Sequence, residues 1–481
     1  MESQNHPQQI SSQTQHQYHV AAESPPQPSQ KEPYNLWGTL KTNLSFKSKW
    51  GELNGAMGDL GTFIPIILAL TLARNLDLGT TLIFAGIYNI LTGAIYGVPM
   101  PVQPMKSIAA VAISNPDFGV PEIMAAGICT GGILLILGVT QLMQLVYWLV
   151  PLSVVRGIQL SQGLAFAISA VKYIRTEQNF VKSKSLGDRP WLGLDGLLLA
   201  IFCACFIILV SGGGNERKNN NGGCDLGDNN FEIDGMNNNK RVKMGLRRIL
   251  YALPSAFIIF ILGVILSIVR GPKEVGKGFK FGPSSIKIVR ISKQSWKHGF
   301  IKGTIPQLPL SVLNSVIAVC KLSSDLFPDR DFTATSLSVT VGMMNVVGCW
   351  FGAVPTCHGA GGLAGQYKFG GRSGGCVALL GAAKLIIGVV LGSSVVKILD
   401  QFPVGVLGVL LLFAGLELAM ACRDMNSKEE SFVMLLVTAV SLVESGASLG
   451  FLCGIVTHFL FKLRVLDKVK SFPKLWMQRS Q

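Results

Sequence analysis

The residues able to do chemistry in this chain are few, and most sit inside apolar stretches. Lys106 stands in VQPMKSIAAVAI, after Gln103, Pro104 and Met105 and before Ser107. A lysine at the start of a short intramembrane helix has three readings. It snorkels to an interface, it pairs with a carboxylate, or it adds positive charge to unpaired helix N–H groups and makes an anion site. A second stretch, PTCHGAGG at 355–362, offers the hydroxyl of Thr356, the thiol of Cys357 and the imidazole of His358, while Gly359 and the glycines after it leave backbone N–H groups approachable. Two helix N-termini facing each other would surround a divalent tetrahedral oxyanion with donors without a full countercharge. His358 is open to three roles: anion ligand, proton carrier, or a gate residue packed on helix ends.

Asp59, in GAMGDLG, lies inside an apolar segment, where a carboxylate is costly unless protonated, paired or beside a water-filled path. It either couples proton movement to the substrate or accepts N–H groups from a glycine-broken helix. Glu417, Glu444 and Lys384 raise the same question, and Gln307, Asn314 and Asn54 are candidate cavity-lining groups. No GxxxxGK, HExxH or Ser–His–Asp pattern occurs, so nothing points to an enzyme, a cofactor or an ATP-driven pump. No CxxC occurs among the ten cysteines, most of which lie in apolar segments, and neither a disulfide framework nor a metal site is assigned.

The elements that must position these groups follow from composition. The chain has 481 residues, 49% hydrophobic and only 14% charged, with a mean hydropathy of +0.43. That apolar excess exceeds what soluble cores can hide, since a soluble domain carries about 25% charge. The chain reads as an all-α polytopic membrane protein in a lipid bilayer. Its net charge of +15 lies mostly in tails and loops, which suits membrane flanks and excludes a nucleic-acid partner.

Apolar runs divide the chain into about fourteen membrane segments. Two of these, about 102–115 and 357–369, are too short to cross a bilayer and read as half-helices, tolerated only when buried in protein. Aligning the two short segments predicts a seven-plus-seven inverted-repeat transporter fold. The expected layout is a disordered cytosolic tail over 1–50, a first repeat over 51–270 with a polar loop at 211–247, and a basic linker over 271–301. A second repeat spans 302–462, and a short basic tail, with no soluble regulatory domain, covers 463–481. The stretch from Lys41 to Trp50, KTNLSFKSKW, reads as a basic juxtamembrane collar.

Three motifs carry a resemblance: NGAMGDLGTFIPIILALTLA (54–73), YGVPMPVQPMKSIAAVAIS (96–114) and GAVPTCHGAGGLAGQYKFGGRSG (352–374). Over about residues 37–465 the chain resembles the plant molybdate transporter family, a branch related to the sulfate transporters. The resemblance implies uptake of molybdate by a secondary active, proton-coupled carrier, a symporter, with substrate held where the segments near Gln103 and Thr356 begin. It implies a plasma-membrane location first, with the vacuolar and mitochondrial membranes next, and a homodimer. The rival readings are a sulfate or general oxyanion transporter with the same site, an anion channel, and a non-transporting sensor.

Overall fold

A computed structural model describes residues 36–179, 184–211, 253–271, 280–330, 332–443 and 447–477. Helices Leu36–Leu44 (α1) and Lys49–Ala56 (α2) lead through a 3-10 turn, Met57–Asp59, into Leu60–Arg74 (α3). Leu78–Tyr96 (α4), the strand Val102–Pro104 (β1), Lys106–Ser114 (α5), Val120–Val139 (α6), Leu142–Leu149 (α7) and Leu152–Arg175 (α8) follow. Strands Thr176–Asn179 (β2) and Lys184–Asp188 (β3) pair with each other before Leu197–Ser211 (α9) and Ser255–Arg270 (α10). Lys293–His298 (α11), Ile305–Val312 (α12) and Val319–Leu326 (α13) run on as one helix through π-turns at Gly299–Thr304 and Leu313–Ala318. Then come Ala334–Gly348 (α14), Thr356–His358 (β4), Ala360–Lys368 (α15), Gly374–Val390 (α16), Val396–Asp400 (α17), Val404–Met420 (α18), Lys428–Val443 (α19) and Ala447–Met477 (α20).

Local chemistry sets these boundaries. Asp77 caps α4 by accepting from Thr80 N at 2.6 Å, and Gly97 ends it in the left-handed region at φ 66°. Thr333 and Ser373 cap α14 and α16 in the same manner as Asp77. The long helices then pack in pairs, α4 with α16, α6 with α14 and α8 with α18. Lipid offers no hydrophobic drive for such pairing, so small residues that let backbones approach decide it. Gly86 and Gly381 show the closeness: a Cβ on Gly86 would lie 2.7 Å from the Gly381 carbonyl oxygen. The outward faces carry apolar side chains such as Ile87, Leu91 and Ile95 along α4, the surface a bilayer requires.

The architecture corrects the expected count of crossings. Among the described residues, six helices are long and apolar enough to cross a membrane, or seven if α16 and the Gly392–Asp400 helix, bent by 111°, form one span. Leu197–Val210, Ser255–Arg270 and Val404–Met420 are shorter apolar helices. Among the described residues the protein is therefore all-α and polytopic with six to seven long spans, not a seven-plus-seven arrangement of fourteen. The count differs because several apolar runs form helices shorter than a full crossing, namely Lys106–Ser114, Ala360–Lys368, Leu197–Val210, Ser255–Arg270 and Val404–Met420. Pro306 and Pro309 lie within the continuous Lys293–Leu326 helix, where π-turns accommodate the altered ladder.

The N-terminal end differs from expectation as well. Leu36–Leu44 is helical within the stretch expected to be disordered, and α20 runs to Met477 through most of the expected tail. Residues 1–35 and the polar loop 212–247 lie outside the described residues. Of the basic linker, 272–279 also lies outside, and Lys293 already begins a helix.

Candidate functional site

The two short segments are brought together by backbone hydrogen bonding. β1 and β4 pair antiparallel, with Val102 opposite His358, Gln103 opposite Cys357 and Pro104 opposite Thr356. Each strand leads at once into a nine-residue helix, α5 or α15. At 1.5 Å per residue these helices are about 13.5 Å long, far short of a bilayer core. Their N-terminal ends lie side by side at the ladder. Met105 N donates to Pro355 O at 2.8 Å, which extends the link one residue beyond it.

Strand alternation divides the candidate residues between two faces. Gln103 and Cys357, directly opposed, share one face; Thr356 and His358 share the other with Val102 and Pro104. On the first face Gln103 Nε2 donates to Asp59 Oδ1 at 2.5 Å, and Asp59 Oδ2 lies 3.5 Å from Lys384 Nζ. Asp59 is fully buried, and Lys384 also stands 3.5 Å over the centroid of the Phe63 ring. Gly359 and Gly362 leave room for the Gln103 side chain, which a Cβ at either position would strike.

Lys106 belongs to this face. Its Nζ donates to Gln162 Oε1 at 3.3 Å and lies 3.8 Å over the Phe166 ring, and it is close enough to Cys357 and Asp59 to interact with both electrostatically. Among the described residues it has no ion-paired carboxylate. Of its three readings, pairing with a carboxylate is thus not found among the described residues. Lys106 is half-buried at the start of α5, and among the described residues no carboxylate lies within ion-pair reach of it.

The other face is closed by packing. His358 is fully buried against the Tyr96 ring, with centroids 6.1 Å apart. Neither ring nitrogen makes a hydrogen bond of standard geometry, although the Pro101 backbone lies beside it. Thr356 Oγ1 is likewise buried and unbonded. His358 and Thr356 thus lie behind the ladder, away from Lys106.

The remaining candidates fall elsewhere. Gln307 Oε1 accepts from Ser107 N at 2.9 Å, so it caps α5 from across the helix interface. No side chain caps α15 at Gly359, and the two N-termini therefore differ. Asn54 is fully engaged in structure: Nδ2 donates to Phe369 O at 2.7 Å, and Oδ1 accepts from Ala256 N at 2.7 Å and Phe257 N at 3.1 Å. Asn314 is buried with an unbonded Oδ1 in a π-turn. Glu417 lies 3.6 Å from Lys368 Nζ at the far end of α15. Glu444 is outside the described residues.

Several positioning residues escaped the sequence reading. Asn89 on α4 accepts from Val102 N at 2.8 Å, and Asn345 on α14 accepts from Thr356 N at 2.7 Å while donating to Thr356 O at 2.6 Å. Each also donates to a carbonyl one turn back on its own helix, Ala85 or Val341. The two asparagines thus fasten β1 and β4 to long helices, and their only sequence signal is a polar residue inside an apolar run. Arg74 closes the opposite end of α5 by donating from Nε to Ala112 O at 2.5 Å. Replacing Asn345 by leucine leaves the Thr356 N–H buried and unpaired, at an expected cost of about 1–3 kcal/mol. Thermal unfolding in detergent measures this.

A second buried charge cluster lies apart from the ladder. Arg156, almost fully buried on α8, donates to Asp424 Oδ1 at 2.9 Å, Asp325 Oδ2 at 2.7 Å and Gln159 Oε1 at 2.8 Å. Lys321 Nζ lies 3.0 Å from Asp325. Its charges balance internally, and it ties α8 to α13 and to the segment after α18.

Comparison with known proteins gives this geometry its context. The transmembrane domain of a cyanobacterium bicarbonate transporter, BicA, matches with a TM-score of 0.50 at 15% identity, over 86% of this chain and 99% of that one. Murine Solute Carrier 26 family member A9, an anion transporter in the inward-facing state, matches with a TM-score of 0.54 at 16% identity, over 92% and 74%. The protein is thus a polytopic membrane protein with the fold of these transporter chains. The family model described as "Molybdate transporter of MFS superfamily" matches residues 51–166 and 299–418. Molybdate transporter 1 of Arabidopsis thaliana is 66% identical over 438 residues, 90% of this chain and 93% of that protein. Molybdate transporter 1 of Chlamydomonas reinhardtii is 33% identical over 473 residues, 85% and 90%. The chain belongs to the molybdate transporter family, and so to the transporters rather than the enzymes.

Proposed function

We propose that this protein is a secondary active carrier of molybdate, binding the anion on the Gln103–Cys357 face of the ladder. The observation that supports this most is the pairing of β1 with β4, which sets two half-helix N-termini beside Lys106, a lysine in ion-pair reach of no described carboxylate. The substrate class is taken from the molybdate transporters of 66% and 56% identity. In this reading Lys106 supplies charge, Gly359 and the residues after it supply N–H donors, and Met105 and Ser107 shape the α5 side. Molybdate and sulfate share charge and shape, so the site must separate them by size.

Protons are the proposed coupling ion, with Asp59 as the group that gains and loses one, since it touches both Gln103 and Lys384. A homodimer in the plasma membrane is the proposed setting, with the vacuolar and then the mitochondrial membrane as alternatives. The test is uptake of nanomolar molybdate into liposomes holding the purified protein under an imposed pH gradient, with and without excess sulfate. Saturable uptake that survives sulfate is expected. Uptake abolished by sulfate makes the protein a general oxyanion transporter, unsaturable flux carrying current makes it a channel, and no uptake by folded protein ends the reading.

A further inference from the structure

Residues 36–52 carry a surface that the ladder site does not use. Trp37, Leu40, Phe46 and Trp50 are exposed there, Trp37 to 84% and Trp50 to 61%. Lys41, Lys47 and Lys49 are exposed among them, and Trp37–Gly51 contains no acidic residue. Aromatic side chains interleaved with lysines suit the headgroup layer of a bilayer, where the rings sit at the boundary and the ammonium groups meet phosphates. Each lysine beside an anionic surface strengthens that attraction roughly fivefold.

The inward side of the same stretch is fastened to the elements that carry both half-helices. Asn43 Nδ2 donates to Ala94 O at 2.8 Å and Ile95 O at 3.2 Å, in the last turn of α4, which leads into β1 and α5. Asn43 Oδ1 accepts from Arg330 Nη1 at 2.5 Å, just ahead of α14. Glu52, buried, accepts from Arg372 N at 3.1 Å and Ser373 N at 3.4 Å, in the turn after α15, and from Lys47 N at 3.4 Å. Gly51 lies directly against Gly370 in that same turn. One exposed basic and aromatic collar therefore grips the approach to α5 and the exit from α15.

We propose that residues 36–52 form a binding surface for anionic phospholipid headgroups, and that lipid seated there sets the placement of the two half-helices and hence the turnover rate. The regulatory half of this proposal rests on the carrier reading; the binding half does not. Charged lipid has an opposing, non-specific effect: a negative vesicle surface repels a divalent anion and raises apparent KM. An effect on Vmax separates the collar from that background.

Two measurements on the full chain test it. Lipid retained after purification from membranes containing phosphatidylglycerol is counted by native mass spectrometry for wild type and for K41Q/K47Q/K49Q. Molybdate uptake is measured in vesicles of phosphatidylcholine alone and with added phosphatidylglycerol. Wild type is expected to retain phosphatidylglycerol and to show a several-fold higher Vmax in the mixed vesicles; the triple variant is expected to lose both. N43A is expected to keep the lipid and lose the Vmax response. Equal retention by wild type and the triple variant overturns the binding surface, as it would if a second copy of the chain covered the collar. Equal Vmax ratios overturn the regulation. Should no vesicle show uptake, the carrier reading fails, and the retention count alone still decides the binding surface.

Discussion

Asp59→Ala is expected to destabilise the protein by about 3–5 kcal/mol, because it strands the Lys384 ammonium in the interior. Lys384 is buried, and its contacts are Asp59 Oδ2 at 3.5 Å and the face of Phe63. Removing the carboxylate leaves a cation held by the ring alone, and also frees Gln103 Nε2 from its acceptor on the site face. Replacing both charges together, as D59A/K384M, is expected to recover most of the loss, since a buried pair exchanged for apolar groups is often neutral. Thermal unfolding in detergent of the two single variants and the double variant measures the coupling. Asp59→Asn asks the functional question, because it keeps an acceptor for Gln103 while removing the titrating group. It is expected to retain anion binding and lose the pH dependence of uptake. An unchanged pH profile would make Asp59 a structural partner of Lys384 and leave proton coupling without a carrier group.

Lys106→Ala is expected to weaken molybdate uptake by tens- to hundreds-fold in apparent affinity, the loss of one charge-assisted hydrogen bond worth about 1.5–3 kcal/mol. The variant should reach the membrane at normal abundance. Lys106 closes no ion pair within the described residues, and removing an intramembrane charge lowers the cost of insertion. Its contacts, Gln162 Oε1 and the Phe166 ring, are neutral groups that remain acceptable to each other once the ammonium is gone. Full-rate uptake by an abundant Lys106→Ala protein would remove the anion from this face of the ladder. The His358 face, closed by Tyr96 and the Asn345 clamp, would then be the place to search.

The residues of the site were legible to different depths. Lys106 and Asp59 stood out because an ionisable group inside an apolar run needs a reason. The half-helix starts stood out because glycine and proline interrupt hydrophobicity too early for a full crossing. His358 was legible as an unusual residue but not as one facing away from Lys106, since a one-residue step along a strand reverses the face. Gln307 and Asn54 looked like cavity groups for the same reason that they are caps: both are amides in apolar surroundings, and only their partners distinguish the roles. Arg156 passed unnoticed because its carboxylates lie 169 and 268 residues further along the chain.

What the sequence determined by itself is the solvent and the chemistry. Low charge and long apolar runs require a bilayer, and a lysine at the start of a broken segment points to an anion site. What only tertiary structure decided is how segments continue and whom they meet. Several apolar runs end as helices too short to cross, so among the described residues fourteen expected segments become six or seven long spans. Backbone pairing between β1 and β4, some 250 residues apart, creates a ladder whose two faces no local pattern records. Hydropathy reports that a group is buried; it carries no information about which partner, across the fold, makes that burial affordable.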